Sequence, residues 1–470
     1  MATFKLSTLD RAAPRSYHRY ALSFACIKNK TAVTIEKLQK AVKRVVNEIP
    51  MLAGNVSTND QYRLVVNVTL QQIEGFSAAI ARIEDSSESY ATICGDGIPP
   101  RHIAGENLTP LDDEPDVEGS PACAFQGNFI DGGLILVIYL HHGIADIRGV
   151  STILRLMSEG MPLRTLDQEA LDTEAKAVSL ARARLSDGAG APAFLALARD
   201  IQQSQQQSRQ HSKPTETAIE ACTDVALRSV RLNDKAAVFS FKLDVILQTA
   251  EMINSRRSLR AGMTDFPAAE QVTPRDVLIA IVWGAFGRAS WLTTERGEEE
   301  ETSISFPVDL RSYLVPPLET HWMGNAETTA VARQSSLQLA MRYDVSTFEQ
   351  SATIIHSRAK AAASDLLVRS RINLMNANPD SQDLSITDLV IHDWTPMPKM
   401  QGQEMDLGLG LGRPDAIRRI GRAVGTRKIV ILPENEMNGA WEVQVELQDN
   451  MIGAMLNDEL LRPFLWHVAH

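Results

Sequence analysis

The run Leu134–Leu140 holds six aliphatic residues and one tyrosine without interruption, and it constrains the fold more than any other segment. Seven residues fall far short of the roughly 20 that a membrane helix needs. They suit a strand that is buried on both faces. Asp131-Gly132-Gly133 separates this run from a second apolar stretch, so residues 122–130 and 134–142 read as a hairpin. A strand of that kind requires cover on both sides, which calls for helices elsewhere in the chain.

Helices follow from the spacing of apolar residues. Ile35, Leu38, Val42, Val45, Val46 and Ile49 fall on one helical face, and Pro50 ends it. Thr273, Pro274 and Asp276 open a second helix that runs to about Trp291. Alternation from Tyr62 to Leu70 predicts a half-buried strand. In the later half, strands are expected at 302–311, 385–391, 427–432 and 441–448, helical material at 346–366, and a last helix from about Asn450. Strand-like and helix-like segments alternate throughout, the mark of α/β architecture.

The length of 470 residues allows two to four domains. The expected division is an N-terminal domain at 1–200, a crossover linker at 201–236 and a C-terminal domain at 237–470. The Gln/Ser-rich stretch Gln202–Gln210 and Lys213-Pro214-Thr215 motivate the linker. A surface helix followed by an ordinary loop would read the same way.

Forty-seven Lys plus Arg stand against 58 Asp plus Glu, a net charge of −11. An acidic total argues against nucleic-acid binding, which needs a cationic surface. Cys26, Cys94, Cys123 and Cys222 are widely spaced with no CxxC pair, the usage of a reduced cytoplasmic protein. Residues 1–19 carry no apolar signal core, and no membrane association is expected.

The buried strand leads into His141-His142-Gly143-Ile144-Ala145-Asp146. Strand parity sends the two histidines to opposite faces, so one substrate would meet only one of them. The same parity argues against a metal site. A strand-end histidine serves as a general base or as a hydrogen-bonded structural residue, and Asp146 as a proton carrier or an ion-pair partner. The spacing leaves both open.

The ordered set of motifs resembles the fungal branch of the BAHD acyltransferase family, the branch that includes trichothecene 3-O-acetyltransferase. Leu6-Ser7-Thr8-Leu9-Asp10 with Pro14, Tyr17 and Phe24 resembles its opening strand, and Leu52-Ala53-Gly54-Asn55-Val56 its next landmark. His142 to Asp146 matches HxxxD. Val308-Asp309-Leu310-Arg311 and Gly324-Asn325 follow in order, and Asp406-Leu407-Gly408-Leu409-Gly410 resembles the second signature, DFGWG.

The resemblance implies a chloramphenicol acetyltransferase-like α/β fold of two domains with mixed sheets and a tunnel between them. It implies a monomer with no permanently bound cofactor. Acyl-CoA, most simply acetyl-CoA, would be the donor, and a small metabolite alcohol or amine the acceptor. His142 would be the general base, with Asp146 paired to Arg311 in a structural role. Asp406, Gly408 and Gly410 would shape a loop near the CoA channel. His392 and Trp394 would reach the substrate pocket, where the family has a Ser-Ser/Thr-Trp element.

From Leu411 to Lys428 six cations face the single Asp415. Arg413 and Arg418 among them are candidates for the CoA phosphates, and a solvated surface face is the plain alternative. Two other functions are also carried. One is a condensation-domain-like enzyme using a carrier-protein-bound donor, because His141-His142 also fits HHxxxD. The other is a non-acylating member that binds or cyclises a metabolite.

Overall fold

The computed structural model describes residues 1–59, 64–83, 89–103, 108–111, 119–160, 162–186, 234–262, 271–293, 300–319, 322–341, 345–377, 387–400, 402–420, 427–435 and 439–469. The N-terminal half supplies strands β1 (Ala2–Lys5), β2 (Tyr17–Ala25), β3 (Asn55–Thr58), β4 (Leu64–Val68), β5 (Ala79–Arg82), β6 (Ser120–Pro121), β7 (Cys123–Ile130) and β8 (Gly133–His141). The C-terminal half supplies β9 (Asp234–Lys242), β10 (Glu301–Asp309), β11 (Glu327–Ser335), β12 (Leu389–Asp393), β13 (Ala416–Arg419), β14 (Lys428–Ile431), β15 (Ala440–Gln448) and β16 (Leu465–Ala469).

Strand β8 is buried at every position from Gly133 to His141, as its composition demands. It lies between β2 and β7 in the five-stranded sheet β13-β2-β8-β7-β5. The hairpin turn is where the sequence places it, with Ile130 paired to Gly133. Helix Thr31–Glu48 covers one face through Leu38, Ala41, Val42, Val45 and Val46. Gly127 on β7 permits the approach, since a Cβ there would sit 2.9 Å from the Leu38 Cδ2. The opposite face of the sheet carries Tyr17, Ala21, Ile135, Val137 and Tyr139 in a smaller cluster.

A seven-stranded sheet, β11-β10-β12-β14-β15-β9-β16, organises the C-terminal half. It is mixed, because β12 runs parallel to both β10 and β14. Helix Pro274–Thr293 is buried at every position from Asp276 to Ser290, so it is a core helix with no polar face. Its start is the expected capping arrangement. Thr273 Oγ1 accepts from the Asp276 backbone N–H at 3.1 Å, and Asp276 Oδ2 accepts from the Thr273 N–H at 2.9 Å.

Three expectations shift. The strand anticipated to Leu70 ends at Val68, because Thr69 and Gln72 form a capping box that opens the helix Leu70–Gly75; Tyr62 lies outside the described residues. The strand expected at 385–391 is Leu389–Asp393, which carries it through His392. The 201–236 linker falls outside the described residues, except for 234–236, which belong to β9.

The two halves are interlocked. Strand β13, from the C-terminal part of the chain, pairs with β2 as the edge of the N-terminal sheet, Ile417 opposite Leu22. Residues 237–470 therefore do not form a self-contained unit. Trp394, Met397, Leu407 and Leu409 pack into the N-terminal core, and Leu9, Ala12 and Leu185 into the C-terminal one. Among the described residues, no helix is long and apolar enough to cross a membrane.

Candidate active site

Strand β8 ends at His141, and the chain turns through 142–145 into the helix Ile147–Ser158, for which Asp146 is the N-cap. The Asp146 side chain accepts from the Arg148 N–H at 3.1 Å, meeting one of the orphan donors of the first turn. Its other partners come from the C-terminal half. Arg311 Nη2 donates to Oδ1 at 2.9 Å, and the Ala326 N–H donates to Oδ2 at 2.9 Å. Asp146 is wholly buried. Committed to these donors, it braces the turn.

A second clamp holds the turn from its backbone. Arg182 Nη1 meets Asp10 Oδ2 at 2.5 Å, both side chains about 1% exposed. The same guanidinium donates through Nη2 to the Ile144 carbonyl at 2.9 Å and the Met323 carbonyl at 2.7 Å. Asn325 Nδ2 donates to the His142 carbonyl at 2.8 Å and to Asp10 Oδ1 at 3.0 Å. Residues 10, 146, 182, 311 and 325, scattered along the sequence, thus converge on one four-residue turn.

The two histidines diverge as strand parity requires. His141 is buried, its Nδ1 accepts from the Gly143 N–H at 3.0 Å, and its ring meets Tyr17 edge-on at 5.5 Å. Burial, helped by Arg15, lowers its pKa to about 4. His142 faces a cavity of about 220 Å³ between the two halves, walled by residues such as Leu9, Ile147, Phe306 and Met375.

His18 and His392 line the same cavity. The His18 and His142 rings are 3.8 Å apart, centroid to centroid. His142 Nδ1, His18 Nε2 and His392 Nε2 are buried with no hydrogen-bond partner. Burial lowers all three pKa values. For His18 the neighbouring His142 and His392 add to it, and for His392 the cations Lys428 and Arg419 do. For His142 the Asp146 carboxylate offsets part of the effect. The imidazoles are neutral at pH 7, the form that accepts a proton.

Trp394 also reaches the cavity, packed on Tyr20 at 4.5 Å. Asp393, between His392 and Trp394 at the end of β12, is taken up by Arg275. The cavity thus gathers His142, His392 and Trp394, with Asp146 and Arg311 behind them. His18 and Glu327, which also lines the cavity, were missed from sequence. His18 follows Tyr17 in the opening strand, and alternation alone would have put it on the opposite face; nothing in sequence tied that face to His142.

None of the proposed CoA-side residues lines this cavity. Asp406 Oδ1 accepts from the Gly408 N–H at 3.2 Å. Gly408 and Gly410 take φ of +69° and +78°, while Leu407 and Leu409, which precede them, are buried. The loop is an anchor in which leucines point inward and glycines supply the left-handed turns. Arg418 is not available to a phosphate. It is 2% exposed, bonded to the Gly97 and Ile98 carbonyls and paired with Glu442 at 2.8 Å. Arg419 is paired with Glu446 at 2.5 Å. Arg413 remains exposed beside the loop. Arg422 lies outside the described residues. The run of cations is therefore divided between buried pairs and surface, so neither sequence reading describes it whole.

A sequence model described as "Transferase family" matches residues 1–459. The chain is 24% identical over 488 residues to "Acyltransferase easC" of Emericella nidulans, covering 97% of this chain and 93% of that one. It is 21% identical over 496 residues to "O-acetyltransferase ptmV" of Penicillium ochrochloron, covering 97% and 95%. Its fold is similar to F. sporotrichioides TRI101, solved with coenzyme A and T-2, at a TM-score of 0.74 and 16% identity over 99% of both chains. It is also similar to vinorine synthase, at a TM-score of 0.56 and 16% identity over 99% of this chain and 94% of that one. Motif order, the two-part fold and the family match agree: the chain belongs to the Transferase family, that of the BAHD-type acyltransferases, with their chloramphenicol acetyltransferase-like fold.

Proposed function

We propose that the protein transfers an acyl group, most simply acetyl, from coenzyme A directly to a hydroxyl or amine of a small secondary metabolite. The observation that carries this reading is His142: a neutral imidazole on the cavity wall, with its turn clamped by Asn325 and Arg182. TRI101, solved with coenzyme A, and the O-acetyltransferases among the relatives supply the donor and the reaction class.

In the proposed reaction His142 takes the acceptor's proton as its oxygen or nitrogen attacks the thioester carbonyl. The tetrahedral oxyanion needs donors already in place; the unpartnered Nε2 atoms of His18 and His392 are the imidazole nitrogens available. Collapse breaks the C–S bond, and the imidazolium returns its proton to the departing thiolate. No acyl-enzyme is required. Asp146 and Arg311 hold the turn and handle no protons.

The test is incubation of the purified protein with acetyl-CoA and an extract of cells in which its gene is deleted, read by mass spectrometry. A metabolite that gains one acetyl group supports the proposal. Transfer only from an acyl group on a carrier protein would assign the protein to condensation chemistry instead.

A further inference from the structure

Glu327 opens strand β11 on the wall of the cavity that His142 faces. The acidic side chains around it are all engaged. Arg311 holds Asp146, Arg148 and Arg311 hold Asp309, and Arg275 holds Asp393. Arg371, on the same wall, is bonded to the Thr328 hydroxyl and the Thr329 carbonyl. The Glu327 carboxyl makes no hydrogen bond and no ion pair with any described residue.

Its position relative to the reacting centre is fixed. Asn325, two residues earlier, donates to the His142 carbonyl at 2.8 Å, and the Ala326 N–H between them is bound to Asp146. Burial, with the neighbouring Asp146, Asp309 and Asp393, holds Glu327 well above the usual carboxylate range, against a smaller pull from Arg311. That favours the protonated carboxyl, with an O–H to donate and a carbonyl oxygen to accept. The carboxyl is half-buried and opens onto the cavity. A ligand oxygen placed against it would gain a hydrogen bond. An ammonium would instead force a charge pair into a largely apolar cavity.

On the acyl-transfer reading, we infer that Glu327 selects the acceptor, its carboxyl group hydrogen-bonding a second oxygen of that molecule, a hydroxyl or carbonyl that does not react. The acceptor class is then an apolar skeleton with at least two oxygen functions, one presented to His142 and one to Glu327.

Acetyl-CoA with cyclohexanol or 4-hydroxycyclohexanone as acceptor tests this in wild type, Glu327→Gln and Glu327→Leu. The ratio of kcat/KM for the two alcohols, taken within each variant, is independent of the fraction folded. Wild type is expected to prefer the hydroxyketone by about tenfold or more, Gln to keep the preference, and Leu to bring the ratio near one. The infrared difference between wild type and Glu327→Gln should contain a protonated-carboxyl band that shifts with 4-hydroxycyclohexanone and not with cyclohexanol. Equal ratios in wild type and Leu overturn the proposal, as does a missing or unresponsive band. A wild-type preference for 4-aminocyclohexanol over the hydroxyketone also overturns it. If neither alcohol is acetylated, the extract assay decides the acyl-transfer reading and the infrared band still decides Glu327.

Discussion

Arg311 and Asp146 lie 165 residues apart in sequence and meet at 2.9 Å, the guanidinium 4% exposed and the carboxylate fully enclosed. The pair ties the turn after β8 to the loop after β10, so each half of the protein orders part of the other's contribution to the cavity.

Removing the cation should cost more than the pair contributes. Arg311→Ala strands Asp146 in the interior and leaves the Trp322 and Gly324 carbonyls without their donor. Breaking a buried pair from one side typically costs about 3–5 kcal/mol. Thermal unfolding should show a clearly lowered midpoint. An unchanged midpoint would remove the structural assignment of this pair.

His142→Ala addresses the chemistry with little structural cost, because His142 Nδ1 has no partner to lose. Loss of a positioned general base should lower kcat by about 10²–10⁴-fold while circular dichroism and the unfolding midpoint stay near wild type. The acid limb of the wild-type rate profile should lie below the ordinary histidine value, since burial lowers this pKa and the base form is the active one. Near wild-type turnover by His142→Ala would end the general-base reading.

Much of this was legible in the sequence, and the parts that were not share a cause. The β7–β8 hairpin and the helix at 274–293 are local: a glycine turn, an apolar run and a Thr-Pro-x-Asp start define them without reference to anything distant. Parity separated His141 from His142 for the same reason. The pairing of Asp10 with Arg182, the transfer of β13 to the N-terminal sheet and the arrival of Glu327 at the cavity depend on contacts between residues far apart. A lone glutamate at a strand start has no periodicity to announce it. Arg418 misled because a cluster of cations reads alike whether solvated or buried; only the Glu442 carboxylate and the Gly97–Ile98 carbonyls reveal which.

Acid should loosen the fold through histidines that are buried neutral. His141 has a pKa of about 4 in the folded protein against 6.5 in the unfolded chain. Between those values the unfolded state binds more protons, so stability falls as pH drops through the window and no further below it. This one residue accounts for about 3 kcal/mol at roughly 1.4 kcal/mol per pH unit. Urea unfolding of His141→Asn, which keeps an acceptor for the Gly143 N–H, should fall less steeply with acid than wild type. Parallel curves would show that His141 is not the group responsible.

Arg413 and Arg418 separate two kinds of cation that sequence treats alike. Arg413 is exposed beside Gly410 and Gly412, placed for a phosphate of the incoming coenzyme if the loop borders its path. Arg413→Ala should then raise the KM for acetyl-CoA several-fold at low salt, with the difference shrinking as salt screens it. Arg418 grips a turn in which Ile98 takes φ +53°, a conformation uncommon for a β-branched residue. Its loss should lower the unfolding midpoint, because it strands the Gly97 and Ile98 carbonyls and the Glu442 carboxylate, and leave the KM of the folded enzyme for acetyl-CoA near wild type. A selective KM effect from Arg418→Ala, with stability intact, would restore Arg418 to the coenzyme site.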